Sequence, residues 1–125
     1  MSKQQDQTVR RYMSESFETV SRDSSLVTAA ERMGEANSGA VIVRGEPTGI
    51  VTSTDIVQQV AEGRDTSELH VDDAATEVTA TINPTQHIKD AASTMLQEGI
   101  SYVPVTEDGE IVGILSKTDI TESST

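Results

Sequence analysis

Thr52-Ser53-Thr54-Asp55 and Ser116-Lys117-Thr118-Asp119 each place a hydroxyl three residues ahead of a carboxylate. In both cases an apolar run, Gly49-Ile50-Val51 or Gly113-Ile114-Leu115, gives way there to a polar segment. Where a strand runs into a helix, the first helical amides are unpaired and carry partial positive charge, which suits a phosphate. A hydroxyl at that junction can donate to or accept from a phosphate or sugar oxygen. A carboxylate one turn on can accept from two neighbouring ribose hydroxyls, as acidic residues do in other nucleotide folds. The same residues also spell a helix N-cap, with the Thr or Ser oxygen closing the free amides. For either phrase alone the cap is sufficient; the recurrence at equivalent places favours ligand chemistry.

The recurrence extends well beyond the phrases. An offset of 62 pairs Val20 with Ile82, Leu26 with Ile88, Ala29-Ala30 with Ala91-Ala92, Met33 with Met95 and Val41 with Val103. Further on the offset becomes 64, because Asp108-Gly109 sits in a longer loop. Each copy is too short to bury its own apolar face, so the copies must share a fold. The order expected in each is strand, helix, strand, strand, helix. In the first, 9–13 forms a short helical turn, Phe17 to Val20 is extended, and Asp23 caps a helix over about 24–36 with Leu26, Ala29, Ala30 and Met33 on one stripe. Strands follow at Ala40 to Val43 and Thr48 to Val51, joined by Arg44-Gly45-Glu46-Pro47, and a second helix runs from Ser53 to about Glu62. In the second copy 71–75 is a turn, Thr79 to Ile82 is extended, and Thr85 caps a helix carrying Ile88, Ala91, Ala92, Met95 and Leu96 that stops at Gly99. Strands at Tyr102 to Val105 and Ile111 to Leu115 lead into a final helix from Lys117. The division is a frayed polar 1–8, a first motif over 9–62, a polar linker over 63–70 and a second motif over 71–125.

Composition narrows the function classes. The 125 residues carry 9 basic against 21 acidic side chains, a net charge of −12. That field repels nucleic-acid phosphates and argues against DNA or RNA as partner. It also predicts adaptation to a salt-rich cytoplasm, of the haloarchaeal kind, where screening removes self-repulsion. The absence of cysteine excludes disulfides and thiolate metal sites. No apolar run reaches the length of a membrane span and the first residues carry no secretion signal, so a soluble cytoplasmic protein is expected, with no membrane partner.

These features together resemble a pair of CBS motifs forming one Bateman module. The resemblance covers Thr8 to Ile120 and is carried by Gly49-x-x-Thr52-x-x-Asp55, Gly113-x-x-Ser116-x-x-Asp119, Ile88-x-x-Ala91-x-x-x-Met95 and Tyr102-Val103-Pro104-Val105. It implies a mixed α/β (α+β) fold with two three-stranded sheets related by a pseudo-twofold, disc-like homodimers, and up to two clefts for an adenosine ligand. One cleft would join Thr52, Thr54 and Asp55 to Thr79, Ala80, Ser101, Tyr102 and Pro104. The other would join Ser116, Thr118 and Asp119 to Phe17, Glu18, Gly39, Ala40 and Ile42. In this reading Asp55 and Asp119 take ribose hydroxyls, Thr52 and Ser116 contact ribose or phosphate, and the early strands with Tyr102-Val103-Pro104 line the base.

The chain departs from that pattern in two ways. Members that grip phosphorylated adenosines often carry a basic residue at the start of the second strand, where this chain has Gly39 and Ser101. A polyphosphate would also enter an unfavourable field, so AMP, ADP, ATP and the cationic S-adenosylmethionine all remain candidates. Glu18 stands where the second copy has Ala80, and Ile42 where it has Pro104; the carboxylate would repel a phosphate, which favours the Asp55 cleft.

No general base or nucleophile is arranged, no Walker-type loop appears, and no enzyme activity or catalytic cofactor is expected. His70 and His87 lack a partner at metal spacing and read as solvated surface, as does Asp72-Asp73; no metal site is expected. With no effector domain apparent, a ligand sensor would signal to a separate, unidentified protein. The competing class is a ligand-free dimerisation or interaction module.

Overall fold

The structure, a computed structural model, describes residues 7–124. Of the polar N-terminus expected over 1–8, residues 1–6 lie outside the described residues, while the Gln7 carbonyl accepts the Ile88 N–H at 2.8 Å and Thr8 bridges to His87. The helices are α1 (Val9–Tyr12), α2 (Leu26–Ala36), α3 (Ser53–Ala61), α4 (Ile88–Glu98) and α5 (Lys117–Ser123). The strands are β1 (Thr19–Val20), β2 (Ala40–Val43), β3 (Gly49–Thr52), β4 (Thr76–Glu77), β5 (Tyr102–Glu107) and β6 (Glu110–Ser116). Short 3-10 turns occupy Thr66–Glu68, inside the expected linker, and Val71–Asp73.

The compact units do not follow the repeat borders. One unit is Ser16–Val78; the other joins the described residues through Glu15 to those from Thr79 onward. Each unit therefore takes its core-closing segment from the stretch that leads into the other repeat. Val71 packs with Val20, Leu26, Ala29, Met33, Val41, Val43 and Val51, and its equivalent Val9 packs with Ile82, Ile88, Ala91, Met95, Val103, Val105 and Leu115.

In the Ser16–Val78 unit a mixed four-stranded sheet runs in the order β1-β2-β3-β4, with β1 parallel to β2 and the other pairs antiparallel. In the other unit β5 and β6 form an antiparallel pair, flanked by single bridges from Ile82 to Val105 and from Ser14 to Ile114. Two three-stranded sheets were expected, and both counts differ for physical reasons. The extra edge arises because Gly49 and Gly113 let the incoming chain pass close. A Cβ on Gly49 would lie 3.3 Å from the Thr76 carbonyl oxygen, and one on Gly113 would lie 2.8 Å from that of Ser14. The missing first strand of the second sheet traces to Pro104. In the first unit the Ile42 N–H donates to the Glu18 carbonyl at 2.9 Å. Pro104 holds the position of Ile42 and has no N–H to give. Only the rungs on either side of Ile82 survive, Ile82 N–H to Pro104 carbonyl at 3.1 Å and Thr106 N–H to Ile82 carbonyl at 2.8 Å.

Helix starts were displaced from the expected caps for one shared reason. Ser25 and His87, equivalent in the two repeats, are pinned in extended conformation by bridges to His70 and Thr8, so α2 and α4 begin after them. Ser25 accepts the Thr28 N–H, and His87 Nδ1 accepts the Lys89 N–H at 3.0 Å. Asp23 instead accepts the Ser21 hydroxyl, and Thr85 is tied to the Asn83 side chain. His87 is thus a cap and not simply solvated surface. At the other ends Asn37 (φ 52°) and Gly99 (φ 67°) close α2 and α4 in left-handed conformation, the role expected of Gly99. The buried stripe holds Leu26, Ala29 and Met33 on α2 and Ile88, Ala91 and Met95 on α4; Ala30 and Leu96, both expected on it, are exposed, Leu96 to 83%.

Candidate functional site

Thr52 ends β3 and Ser116 ends β6, and each begins a helix through a reciprocal pair of hydrogen bonds. The Thr52 N–H donates to Asp55 Oδ2 at 2.8 Å and Thr52 Oγ1 accepts the Asp55 N–H at 3.2 Å. Ser116 and Asp119 repeat the arrangement at 2.8 and 3.1 Å. The capping reading is therefore real for both phrases. It does not exhaust the carboxylates, because in each only Oδ2 receives a hydrogen bond among the described residues. The box fixes the side chain of each aspartate, and both residues are half-buried. Thr54 and Thr118, on the first turns, are exposed.

Each phrase lies beside the start of the second strand of its own unit. Ala40 is the ladder partner of Thr52 and the Ser53 N–H donates to the Gly39 carbonyl at 2.8 Å; Tyr102 is the partner of Ser116 and the Lys117 N–H donates to the Ser101 carbonyl at 3.0 Å. The two expected residue sets are split between units. Thr52, Thr54 and Asp55 lie in Ser16–Val78, together with Phe17, Glu18, Gly39, Ala40 and Ile42; Ser116, Thr118 and Asp119 lie in the other unit with Thr79, Ala80, Ser101, Tyr102 and Pro104.

Two neighbours of these residues were not legible from spacing. Arg32 Nη1 stands 3.5 Å from Glu18 Oε1 and 3.2 Å from the Thr19 carbonyl oxygen, and Arg44 Nη1 donates to Thr19 Oγ1 at 2.7 Å. Glu18 is thus paired with a guanidinium, which offsets the repulsion its carboxylate would offer a phosphate. The other feature is the Ala80 carbonyl. Its equivalent on Glu18 is closed by Ile42, whereas no described residue donates to Ala80, which is half-buried. The structure also has a shallow apolar hollow lined by Leu26, Val27, Ala30, Glu31, Ile56 and Thr66, none of them in either expected set. Among the described residues no group of acidic or histidine side chains could hold a metal ion.

The CBS domain family matches residues 9–62 and 71–124. This chain belongs to that family. It is a tandem pair of CBS domains, mixed α+β, as the resemblance implied. Its relatives include the CBS domain-containing protein YhcV of Bacillus subtilis, 30% identical over 115 residues that span 90% of this chain and 81% of that protein. The uncharacterized protein MJ1225 of Methanocaldococcus jannaschii is 31% identical over 114 residues. That match takes in 89% of this CBS pair but only 40% of the longer relative. Among solved structures, the CBS domain pair of protein MJ0100 in complex with 5′-methylthioadenosine and S-adenosyl-L-methionine superposes with a TM-score of 0.80 at 25% identity, covering 92% of this chain and 93% of that one. No helix among the described residues is long and apolar enough to cross a membrane.

Proposed function

We propose that this CBS pair is a regulatory module that binds an adenosine ligand and signals to a separate protein through a change of conformation or dimer state. The observation that supports it most is the paired carboxylate arrangement. Asp55 and Asp119 are each held through Oδ2 in a capping box at equivalent strand-to-helix junctions of the two repeats, and Oδ1 of each receives no hydrogen bond among the described residues. The adenosyl ligands carried by the MJ0100 pair point to the same ligand class.

In this reading Thr52, Thr54 and Asp55 act with Thr79, Ala80, Ser101, Tyr102 and Pro104, and Ser116, Thr118 and Asp119 act with Phe17, Glu18, Gly39, Ala40 and Ile42. The carboxylates take ribose hydroxyls and the strand residues line the base. AMP, ADP, ATP and S-adenosylmethionine are the ligands to test. Binding would bias an existing equilibrium by its differential affinity for two states. The test is calorimetric titration with each compound; saturable binding that Asp55→Asn weakens supports the reading, and its absence for all of them removes it.

A second reading, a ligand-free dimerisation module, is favoured by the outer faces of α2 and α3. Val27, Val57 and Val60 are 43%, 65% and 60% exposed on these helices, and Val27 lines the apolar hollow. Exposed aliphatic side chains of this kind suit a homodimer contact. Both readings hold for one molecule if the dimer is the element the ligand biases.

A further inference from the structure

The Ser16–Val78 unit carries a cluster of charge at β1 that the other unit lacks. Arg32, on α2, places Nη1 3.5 Å from Glu18 Oε1 and 3.2 Å from the Thr19 carbonyl oxygen. Arg44, just past β2, donates from Nη1 to Thr19 Oγ1 at 2.7 Å. The equivalents in the second repeat are Ala80 for Glu18, Thr81 for Thr19, Thr94 for Arg32 and Thr106 for Arg44, all uncharged. Two guanidiniums against one carboxylate leave the cluster with a positive excess, in a chain of net charge −12. A guanidinium is a fork of several N–H donors, and among the described residues only Nη1 of each arginine is engaged. Both arginines are exposed, so Nε and Nη2 of each remain open to a ligand.

Resting on the adenosine reading above, we propose that Arg32 is a positioning residue that sets the charge preference of the residue set containing Glu18: it holds the Glu18 carboxylate and, with Arg44, makes that set select a ligand whose 5′ group is anionic. Left to itself, Glu18 would repel a phosphate and attract a cation such as a sulfonium. Tied to Arg32 it is neutralised, and the guanidinium of Arg44 supplies the charge and the planar donors that suit phosphate oxygens. The two sets then differ in kind. The one containing Ala80 has no charge at these places and does not sort ligands by the charge of the 5′ group. Spacing alone counted Glu18 against a phosphate; the contact from α2 reverses that sign.

The test compares ligands that differ only at the 5′ position. Wild type is titrated by calorimetry, at neutral pH and one fixed salt concentration, with AMP (anionic), adenosine (neutral) and 5′-amino-5′-deoxyadenosine (cationic). The expected order of affinity is AMP, then adenosine, then the amine. Arg32→Gln frees the Glu18 carboxylate and should weaken AMP relative to adenosine about fivefold, the scale of an exposed charge pair, while tightening the amine. Arg32→Lys keeps the charge and should keep the wild-type order. Adding Glu18→Gln to Arg32→Gln removes the freed carboxylate and should restore most of the AMP preference, a coupling that damage to the fold would not produce. Melts establish that each variant is folded. Equal affinity for the three ligands in wild type would overturn this proposal and leave the adenosine-site reading intact. So would an AMP preference that survives in folded Arg32→Gln, or a loss by the same factor for all three ligands. No binding of any adenosine compound would overturn both.

Discussion

Asp55 and Thr52 hold each other across one helical turn, carboxylate to backbone N–H at 2.8 Å and hydroxyl to backbone N–H at 3.2 Å. The pair starts α3, and under the proposed function the same carboxylate takes a ribose hydroxyl, so one substitution is predicted to disturb both stability and binding. Asp55→Ala removes the acceptor for the Thr52 N–H and should cost about 1 kcal/mol of stability. Asp55→Asn keeps an acceptor oxygen and should melt closer to wild type while still losing ligand. Thermal melts of the two variants side by side check this; equal destabilisation would mean the carboxylate charge, not the cap geometry, carries the local stability.

Gly113 and Gly49 close the motif at its other end for a steric reason. A Cβ on Gly113 would sit 2.8 Å from the Ser14 carbonyl oxygen and 2.9 Å from Met13 Sδ, whereas the nearest atom to one on Gly49 is at 3.3 Å. Gly113→Ala should destabilise by about 1–3 kcal/mol, the range for overpacking, and Gly49→Ala by less. Denaturant midpoints for the two variants measure the order directly.

The exchanged segments predict how the chain can be cut. Val71 completes the core of the Ser16–Val78 unit, and Val9 with Met13 completes the other. A fragment ending at residue 62, the end of the first family match, lacks Val71 and should be far less ordered than one spanning Ser16–Val78. Burial of a valine of this kind is worth about 1.5–3 kcal/mol, a large share of a small unit's stability. Circular dichroism melts of the two fragments decide it.

Asp65 carries a pH signature. The Ser67 hydroxyl donates to its carboxylate at 2.6 Å and the Ser67 N–H at 3.1 Å, and these bonds, the hydroxyl first, hold its pKa below the ordinary value of 3.8. The depressed folded-state pKa means that the contribution is present above the unfolded value and is lost as pH falls through the folded one. Ser67→Ala should move the Asp65 titration upward in an NMR pH series; an unchanged titration would show that the hydroxyl bond is not formed in solution.

The charge of −12 predicts a salt dependence of the whole fold. The ion pairs Arg10–Glu107 at 2.8 Å and Arg22–Asp72 at 3.0 Å are exposed and contribute little each, about 0–1 kcal/mol. They cannot offset the repulsion among the remaining carboxylates, which salt screens. The melting temperature should rise from low to molar potassium chloride; equal stability in both would remove the halophilic reading.

Periodicity placed the buried faces of α2 and α4, β2 at its observed bounds, and the Asp108-Gly109 turn, whose residues both take positive φ at 54° and 83°. These are local signals, carried by residues within one turn or one strand. What escaped was set by partners distant in sequence. Ser25 and His87 became caps because His70 and Thr8 hold them extended, and Asp23 and Thr85 were already engaged by nearer neighbours. The loss of a full first strand in the second sheet was latent in Pro104, but only the register of Ile42 against Glu18 gives that proline its consequence. The carboxylates of the site were legible as a repeated pattern. Their engagement through a single oxygen was not, nor was the guanidinium of Arg32 beside Glu18.

The most direct test of the central claim is thermal shift at molar salt against AMP, ADP, ATP and S-adenosylmethionine, with Asp55→Asn and Asp119→Asn alongside. A ligand present at about 100 times its dissociation constant adds roughly 2.7 kcal/mol to the folded state, which raises the melting temperature measurably. The account predicts such a rise with at least one adenosine compound and its loss in at least one variant. Identical melting of all three proteins with and without every compound would contradict it.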